Sequence, residues 1–177
     1  MRGQLELTPV MDEAYVARGL GSWRNLIGYM AEQHAAERLG AERLSTDGRA
    51  GYCPDLTKDG VKYEVKAVGK SREVIVYSMR LEKDRTYAET HPLVYVLVIH
   101  SAVVPATAQE IRTRISRAQV WCIPFCYVDA VCSRMRPRIL NRNYKPTNGW
   151  CQRGYERGGY LIPASELTCW GQPIPIL

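Results

Sequence analysis

The sequence predicts an α/β (α+β) sandwich in which helices flank a mixed central sheet. Three observations support this prediction. An amphipathic segment near the N-terminus ends at Gly40, as helices commonly do. Several apolar, β-branched segments follow it, and a second helical pattern separates them. The chain of 177 residues is long enough for one domain with a core and short for two, so we expect a single domain over 1–177.

The elements can be predicted in chain order. Thr8-Pro9 predicts the start of a first helix that breaks at Gly19–Gly21, and Ser22 is placed to cap a longer one that runs through Leu39. Thr107 and Glu110 have the spacing of a capping box, which predicts a further helix through Arg117. A strand, alone or followed by a loop, is expected at 120–128. Apolar and β-branched residues also predict strands in four other segments: 52–67, 72–83, 92–104 and 159–163.

The net charge of +6 is concentrated in one C-terminal segment. Residues 134–157 contain seven cations and one acid, which already gives +6. The cations are Arg134, Arg136, Arg138, Arg142, Lys145, Arg153 and Arg157. A basic block interleaved with aromatic residues is typical of a polyphosphate-binding surface, and a solvated arginine-rich surface is the alternative.

No secretory signal is visible in the sequence, and the longest apolar run, 93–106, is too short to cross a bilayer. We therefore expect a cytoplasmic protein without a membrane partner. Disulfides are not expected in that compartment, and most of the six cysteines are predicted to be buried thiols. A Cys-ligated metal or iron–sulfur site is the alternative.

The segment 53–69 predicts a β-hairpin with Asp59-Gly60 as its two-residue turn. In that register Asp55 faces Glu64, with Cβ atoms about 5 Å apart, and Lys66 lies one step further along. The alternation of strand side chains separates two faces. The predicted core face carries Leu56, Val61, Tyr63, Val65 and Ala67, and the other face carries Asp55, Thr57, Lys62, Glu64 and Lys66.

Facing carboxylates repel, so Asp55 and Glu64 need a compensating partner. They could share a proton, join an ion-pair network or hold a hard cation. Mg²⁺ prefers a few protein carboxylates together with water and phosphate oxygens, and two acids beside an ammonium suit that preference. A surface hairpin with mixed charges and no site is the alternative.

The same residues resemble a known motif. Pro54-Asp55, eight intervening residues and then Glu64-Val65-Lys66 resemble the signature of the PD-(D/E)XK nuclease superfamily, which includes restriction endonucleases and Holliday-junction resolvases. The resemblance covers about residues 22–125. It implies a restriction-endonuclease-like core, in which a helix precedes a three-stranded meander, a helix and a strand. The basic, Cys-containing part from about residue 126 has no counterpart in it.

The superfamily's first helix commonly adds a glutamate in a G-x3-E setting, and Gly28 and Glu32 resemble that setting. Glu37 is the alternative. Five helical positions correspond to about 140° of rotation, so the two glutamates cannot face one site. Glu32 borders a stripe of small residues suited to close packing on a sheet, and the sequence favours Glu32 for that reason.

The resemblance implies a Mg²⁺-dependent DNA endonuclease, with Mn²⁺ able to substitute. Asp55 and Glu64 would ligate the metal together with the Val65 carbonyl. Glu32 would touch the metal or its water, and Lys66 would orient the attacking water. The basic segment would hold the DNA backbone, and a homodimer would suit concerted cuts on two strands.

Two other functions stay open from the sequence: a catalytically inactive nucleic-acid-binding module and a Cys-ligated metal protein. The residues also do not separate restriction, junction-resolving, repair and phage DNA-processing roles. DNA is favoured over RNA by the resemblance alone.

Overall fold

The computed structural model describes residues 23–44, 54–102, 107–144 and 155–174, with side chains for 26–44, 54–102, 107–140 and 158–174. The helices in these ranges are α1 (Trp23–Leu39), α2 (Ser78–Ala88), α3 (Ala108–Ser116), α4 (Phe125–Arg134) and α5 (Ala164–Thr168). The strands are β1 (Glu42–Arg43), β2 (Leu56–Lys58), β3 (Val61–Val68), β4 (Glu73–Tyr77), β5 (Leu93–Ile99), β6 (Gln119–Pro124), β7 (Arg138–Tyr144), β8 (Tyr155–Pro163) and β9 (Gln172–Pro173).

The strands form a central sheet and a smaller second sheet. The central sheet has six strands in the order β1-β2-β3-β5-β6-β9, and the second has the order β4-β8-β7. Strands β3 and β5 are parallel, while the other neighbours in both sheets are antiparallel. Parallel neighbours need a crossover, which here runs through β4 and α2. The predicted mixed central sheet with helices is therefore confirmed.

The central sheet is covered on both faces. One face packs against α1 and α3, with Leu26, Val96 and Ile111 in a first core. The other face packs against α2, α4, α5 and the second sheet, and Leu81 and Leu97 lie in this second core. Strand β5 is almost continuously buried. Its uninterrupted apolar sequence follows from this, since a strand covered on both faces has no solvent side.

The predicted hairpin and the helices predicted through Leu39 and through Arg117 are present, while the helix predicted from Thr8 lies outside the described residues. Asp59 and Gly60 have φ angles of 49° and 79°, and Lys58 pairs with Val61 as expected from the turn. Helix α1 ends at Gly40, whose φ is 62°, a conformation that glycine adopts without strain. The Ser22 cap lies outside the described residues. Helix α3 opens with the predicted capping box, in which the Thr107 hydroxyl accepts from the Glu110 N–H.

Three predictions about elements were wrong. The strand expected at 72–83 ends at Tyr77, and α2 begins at Ser78. The strand β4 joins the second sheet through β8, so the meander predicted for the central sheet does not form. The segment 120–128 turns into helix α4 at Phe125, after the strand β6. In two of these cases a helix replaces part of a predicted strand, and in the third β4 pairs with β8, a strand distant in sequence.

The predicted faces of β3 also need correction. Ala67, placed in the core, is exposed, whereas Glu64, placed on the opposite face, has only 4% of its surface exposed. Helix α2 covers the face that carries Glu64, and its Arg80 contacts the Glu64 carboxylate.

The described cysteines divide into two groups. Burial raises the pKa of Cys122 to about 11 and that of Cys132 to about 12, so both thiols are expected to be unreactive. Cys132 is buried as predicted and Cys122 is half-buried, but Cys126 and Cys169 are exposed, and the prediction of buried thiols was wrong for these two. All four are free thiols, while Cys53 and Cys151 lie outside the described residues. Among the helices of the described ranges, none is long and apolar enough to cross a membrane.

Candidate active site

Asp55 lies where the β2–β3 ladder ends. The last regular pair is Leu56 with Tyr63, and the Asp55 N–H then donates to the Tyr63 carbonyl at 2.9 Å. The predicted direct pairing of Asp55 with Glu64 is therefore replaced by an irregular ladder end. The Asp55 side chain continues the hydrogen bonding to β3: its Oδ2 accepts from the Val65 N–H at 2.6 Å. This hydrogen bond fixes the carboxylate against β3.

Glu64 and Lys66 project from the same face of β3, two residues apart. Lys66 Nζ lies 2.6 Å from Glu64 Oε1. The side chain of Glu64 is 6% exposed and that of Lys66 is 20% exposed, so this ion pair is largely removed from water. Lys66 Nζ also lies 5.6 Å from the centre of the Tyr95 ring, which belongs to the neighbouring strand.

The second oxygen of Glu64 is bound by Arg80 from α2, a residue that the sequence analysis missed. The Nε of Arg80 also lies 3.3 Å from Oδ1 of Asp84, four residues further along the helix. Asp84 is fully buried, and its Oδ2 accepts the hydroxyl of Tyr95. A chain of polar contacts thus links Glu64 through Arg80 and Asp84 to the centre of the sheet.

Helix α1 brings Glu32 to the same region. Its carboxylate pairs with Arg43 of β1 at 2.7 Å and is 30% exposed. Glu32 lies close enough to Asp55 and Glu64 to influence the charge of the cluster. Glu37, the alternative acid, is exposed and lines a groove between α1 and α3 beside Arg112. Of the two glutamates of α1, Glu32 is thus the one whose charge reaches the hairpin acids.

The pKa of Asp55 is raised from 3.8 to about 7, chiefly by burial and then by the negative charges of Glu64 and Glu32. The charge of Lys66 and the Val65 N–H act in the opposite direction, and the value of about 7 includes their effect. Burial likewise raises the pKa of Glu32, against the opposing effect of Arg43. For Lys66, burial lowers the pKa, but the contact with Glu64 outweighs burial and the net shift is upward. The lysine is thus held in its charged form.

The donor chemistry suits a hard cation, although the arrangement is not a ready-made metal site. The two carboxylates Asp55 and Glu64 repel each other, which a divalent cation would relieve. In a strand, the N–H and the C=O of one residue point to the same side. Because the Val65 N–H donates to Asp55, the Val65 carbonyl also points towards Asp55. Across the described ranges, however, no three His, Cys, Asp or Glu side chains are grouped closely enough to hold a metal ion.

Part of the basic segment can be located. Arg134, Arg136 and Arg138 are exposed at the end of α4 and the start of β7. Arg142 and Arg157 lie on β7 and β8, but their side chains, and Lys145 and Arg153 altogether, lie outside the described residues. The segment therefore includes part of an antiparallel pair of strands, in which Asn141 faces Arg157.

Comparison with known proteins adds no identification. No protein-family model matches the chain, and no curated protein is significantly similar to it. The resemblance to the PD-(D/E)XK superfamily thus rests on the residues of the hairpin and α1.

Arg80 and Asp84 were missed although the sequence contained a signal for them. A cation and an acid at i and i+4 form a favourable pair on a helix. The sequence predicts one strand over 72–83, however, and a strand that ends before Asp84 does not pair Arg80 with it. Tyr95 gave no signal, because one tyrosine in an apolar strand is expected in any core.

Proposed function

We propose that the protein is a Mg²⁺-dependent DNA endonuclease of the PD-(D/E)XK type. The observation that carries this proposal is the electrostatic influence of Glu32, Glu64 and Lys66 on Asp55. These four residues come from α1, from the position just before β2, and from β3. Buried acids with raised pKa values beside a charged lysine are typical of functional sites.

The order of elements gives further support. A helix precedes the hairpin, and a crossover helix then leads to a strand parallel to β3. This order agrees with the restriction-endonuclease-like core that the resemblance implies. The third strand of the meander departs from it, because β4 pairs with β8 in the second sheet.

Asp55, Glu64 and the Val65 carbonyl would hold Mg²⁺ or Mn²⁺, with Glu32 in contact with the metal or its water. When bound, the metal would polarise the phosphoryl oxygen and lower the pKa of a bound water. The protein's own contribution is to fix the Asp55 carboxylate through the Val65 N–H and to bury the cluster. Burial strengthens each charge interaction with the substrate.

Lys66 is the residue that we assign to the attacking water. Its ammonium is held beside Glu64 and stays charged, so it would favour hydroxide over water and stabilise the negative charge that develops on the phosphate. No covalent intermediate with the protein is needed.

The charge distribution supports a nucleic-acid substrate, and the resemblance is what favours DNA. Arg134, Arg136 and Arg138 are exposed, and arginines contact phosphates without selecting a base sequence. The cytoplasmic location and the homodimer stay predictions.

The second candidate is a nucleic-acid-binding module without catalysis. One observation favours it: Glu64 is already neutralised by Lys66 and Arg80. An acid with two cationic partners has less need of a metal. A binding module of this kind would still contact DNA, and Mg²⁺ would neither bind to Glu64 nor lead to cleavage.

A cleavage assay separates the two candidates. Supercoiled plasmid, linear duplex, single-stranded and four-way-junction DNA would be incubated with the protein in Mg²⁺ and in EDTA. The nuclease proposal predicts Mg²⁺-dependent cleavage of at least one form and its loss in Asp55→Asn. Asp59→Asn, at the exposed turn of the same hairpin, is the matched control. Binding of DNA without cleavage of any form would favour the binding module.

A further inference from the structure

The Glu64 carboxylate is bound at both oxygens by cations of the protein. Lys66 holds Oε1 and Arg80 holds Oε2. A metal ion that used Glu64 as a ligand would have to take one of these oxygens. We propose that Arg80 is the cation that exchanges with the metal: it occupies Glu64 in the metal-free protein, and its release sets the metal affinity of the site. This inference rests on the proposed function for Glu64 as a metal ligand.

Arg80 is better placed than Lys66 to give up this contact. Its Nε lies 3.3 Å from Oδ1 of Asp84, so the guanidinium keeps a buried counter-charge when it leaves Glu64. An isolated buried cation would be costly, and Asp84 removes that cost. The charge of Lys66 is instead stabilised by Glu64 and Asp55, the acids that would bind the metal.

Asp84 is itself fixed. It is fully buried, and the Tyr95 hydroxyl donates to its second oxygen. Tyr95 lies opposite Glu64 in the β3–β5 ladder and is fully buried. Asp84 and Tyr95 therefore hold Arg80 beside β3 before and after the exchange. In this arrangement Arg80 is a positioning residue for Glu64.

Two substitutions should change the metal affinity in opposite directions. Arg80→Gln removes a positive charge beside Glu64 and should tighten Mn²⁺ or Mg²⁺ binding by about tenfold or more, from the Coulomb energy of a partly buried charge. Asp84→Asn removes the negative charge that draws Arg80 away and should weaken binding by about the same factor. A purely structural role for both residues would weaken binding in both variants.

The measurement is calorimetric titration of the full-length protein with MnCl₂ or MgCl₂, without DNA, at a pH above 7. Circular dichroism establishes that each variant is folded. Arg80→Lys keeps the charge and should bind metal with nearly wild-type affinity. Arg85→Gln is the matched control on the same helix, since Arg85 pairs with Asp129 and Glu82 away from Glu64. It should leave the affinity unchanged.

The outcomes separate this inference from the proposed function. Equal metal affinity in wild type, Arg80→Gln and Asp84→Asn would overturn the role of Arg80 and leave a metal-dependent nuclease intact. No metal binding by any of the proteins would overturn both. If Arg80→Gln does not fold, Asp84→Asn and Arg80→Lys decide: tighter binding in Asp84→Asn, or a large change in Arg80→Lys, would contradict the exchange.

Discussion

Asp55 is an acid whose ionised form is disfavoured in the folded chain. Burial and the charges of Glu64 and Glu32 bring its pKa from 3.8 to about 7. The Val65 N–H holds the carboxylate in place, so the side chain cannot turn away from these charges. A divalent cation would lower the pKa of Asp55, because it favours the ionised carboxylate. The ionisation of Asp55 should therefore be visible both in stability and in metal binding.

The first prediction concerns pH. Because the pKa of Asp55 is higher in the folded chain than in the unfolded chain, its contribution to stability is greatest below about pH 4 and is lost as pH rises to about 7. In EDTA, the melting temperature of wild type relative to Asp55→Asn should fall across this window. Asp59→Asn should follow wild type. A constant difference between wild type and Asp55→Asn would show that burial at position 55 is much weaker than described.

The second prediction compares the two glutamates of α1. Glu32 pairs with Arg43 near the acid cluster, whereas Glu37 is exposed beside α3. Glu32→Gln should slow single-turnover DNA cleavage by about 100-fold, a loss comparable with removal of an acid–base group, and Glu37→Gln by less than about threefold. The reverse ranking would place the substrate on the other side of α1.

The acids of the hairpin could be predicted because their spacing is local. The Asp-Gly turn sets the register, and the register brings Asp55 near Glu64. The irregular end of the ladder could not be predicted, since it depends on a side-chain hydrogen bond to Val65. Arg80 could not be predicted as a partner of Glu64, because that contact requires α2 to be recognised as a helix and packed against β3.

At the scale of elements, α2 joins the site to the core. Leu81 packs in the second core, while Arg80 and Asp84 point to β3 and β5. The start of this helix has no local signal, because its N-cap residue Tyr77 makes no side-chain capping hydrogen bond and its first turn has no acidic residue. In contrast, α1 and α3 have local signals at their ends, Gly40 and the Thr107 capping box, and both were predicted correctly.

The third prediction tests the link between α2 and the sheet. Tyr95→Phe removes the hydroxyl that donates to the buried Asp84 and should lower the free energy of unfolding by about 1–3 kcal/mol. Urea denaturation measures this loss. Tyr63→Phe, at a partly buried tyrosine in the first core, is the control and should have a smaller effect. Equal losses in the two variants would argue against a special role for the Tyr95–Asp84 contact.

At the scale of the molecule, charge is distributed unevenly. The segment 134–157 carries +6, equal to the net charge of the whole chain, while the acids of the candidate site lie on α1 and the β2–β3 hairpin. Three of its arginines are exposed where α4 leads into β7. Under the proposed function these arginines would contact the phosphates of the DNA.

The fourth prediction concerns this segment. If about four of its cations meet phosphates, log K for duplex binding should fall with log[salt] with a contribution to the slope of about −3 to −4. Replacing Arg134, Arg136, Arg138 and Arg142 with Ala should flatten the slope by that amount. An unchanged slope in a folded variant would place the DNA-binding surface elsewhere.

Lys66 tests the central claim most directly, since it is assigned to the chemistry and not to DNA binding. The measurement is single-turnover cleavage of one labelled duplex in Mg²⁺ by wild type, Lys66→Ala and Lys62→Ala, with binding measured in parallel. Lys62 lies on the same strand and its Nζ donates to Thr57 at 3.0 Å, so it is the matched control. The account predicts that Lys66→Ala binds the duplex but cuts it at least about 100-fold more slowly, while Lys62→Ala cuts at nearly the wild-type rate. Cleavage by Lys66→Ala at the wild-type rate would contradict the account.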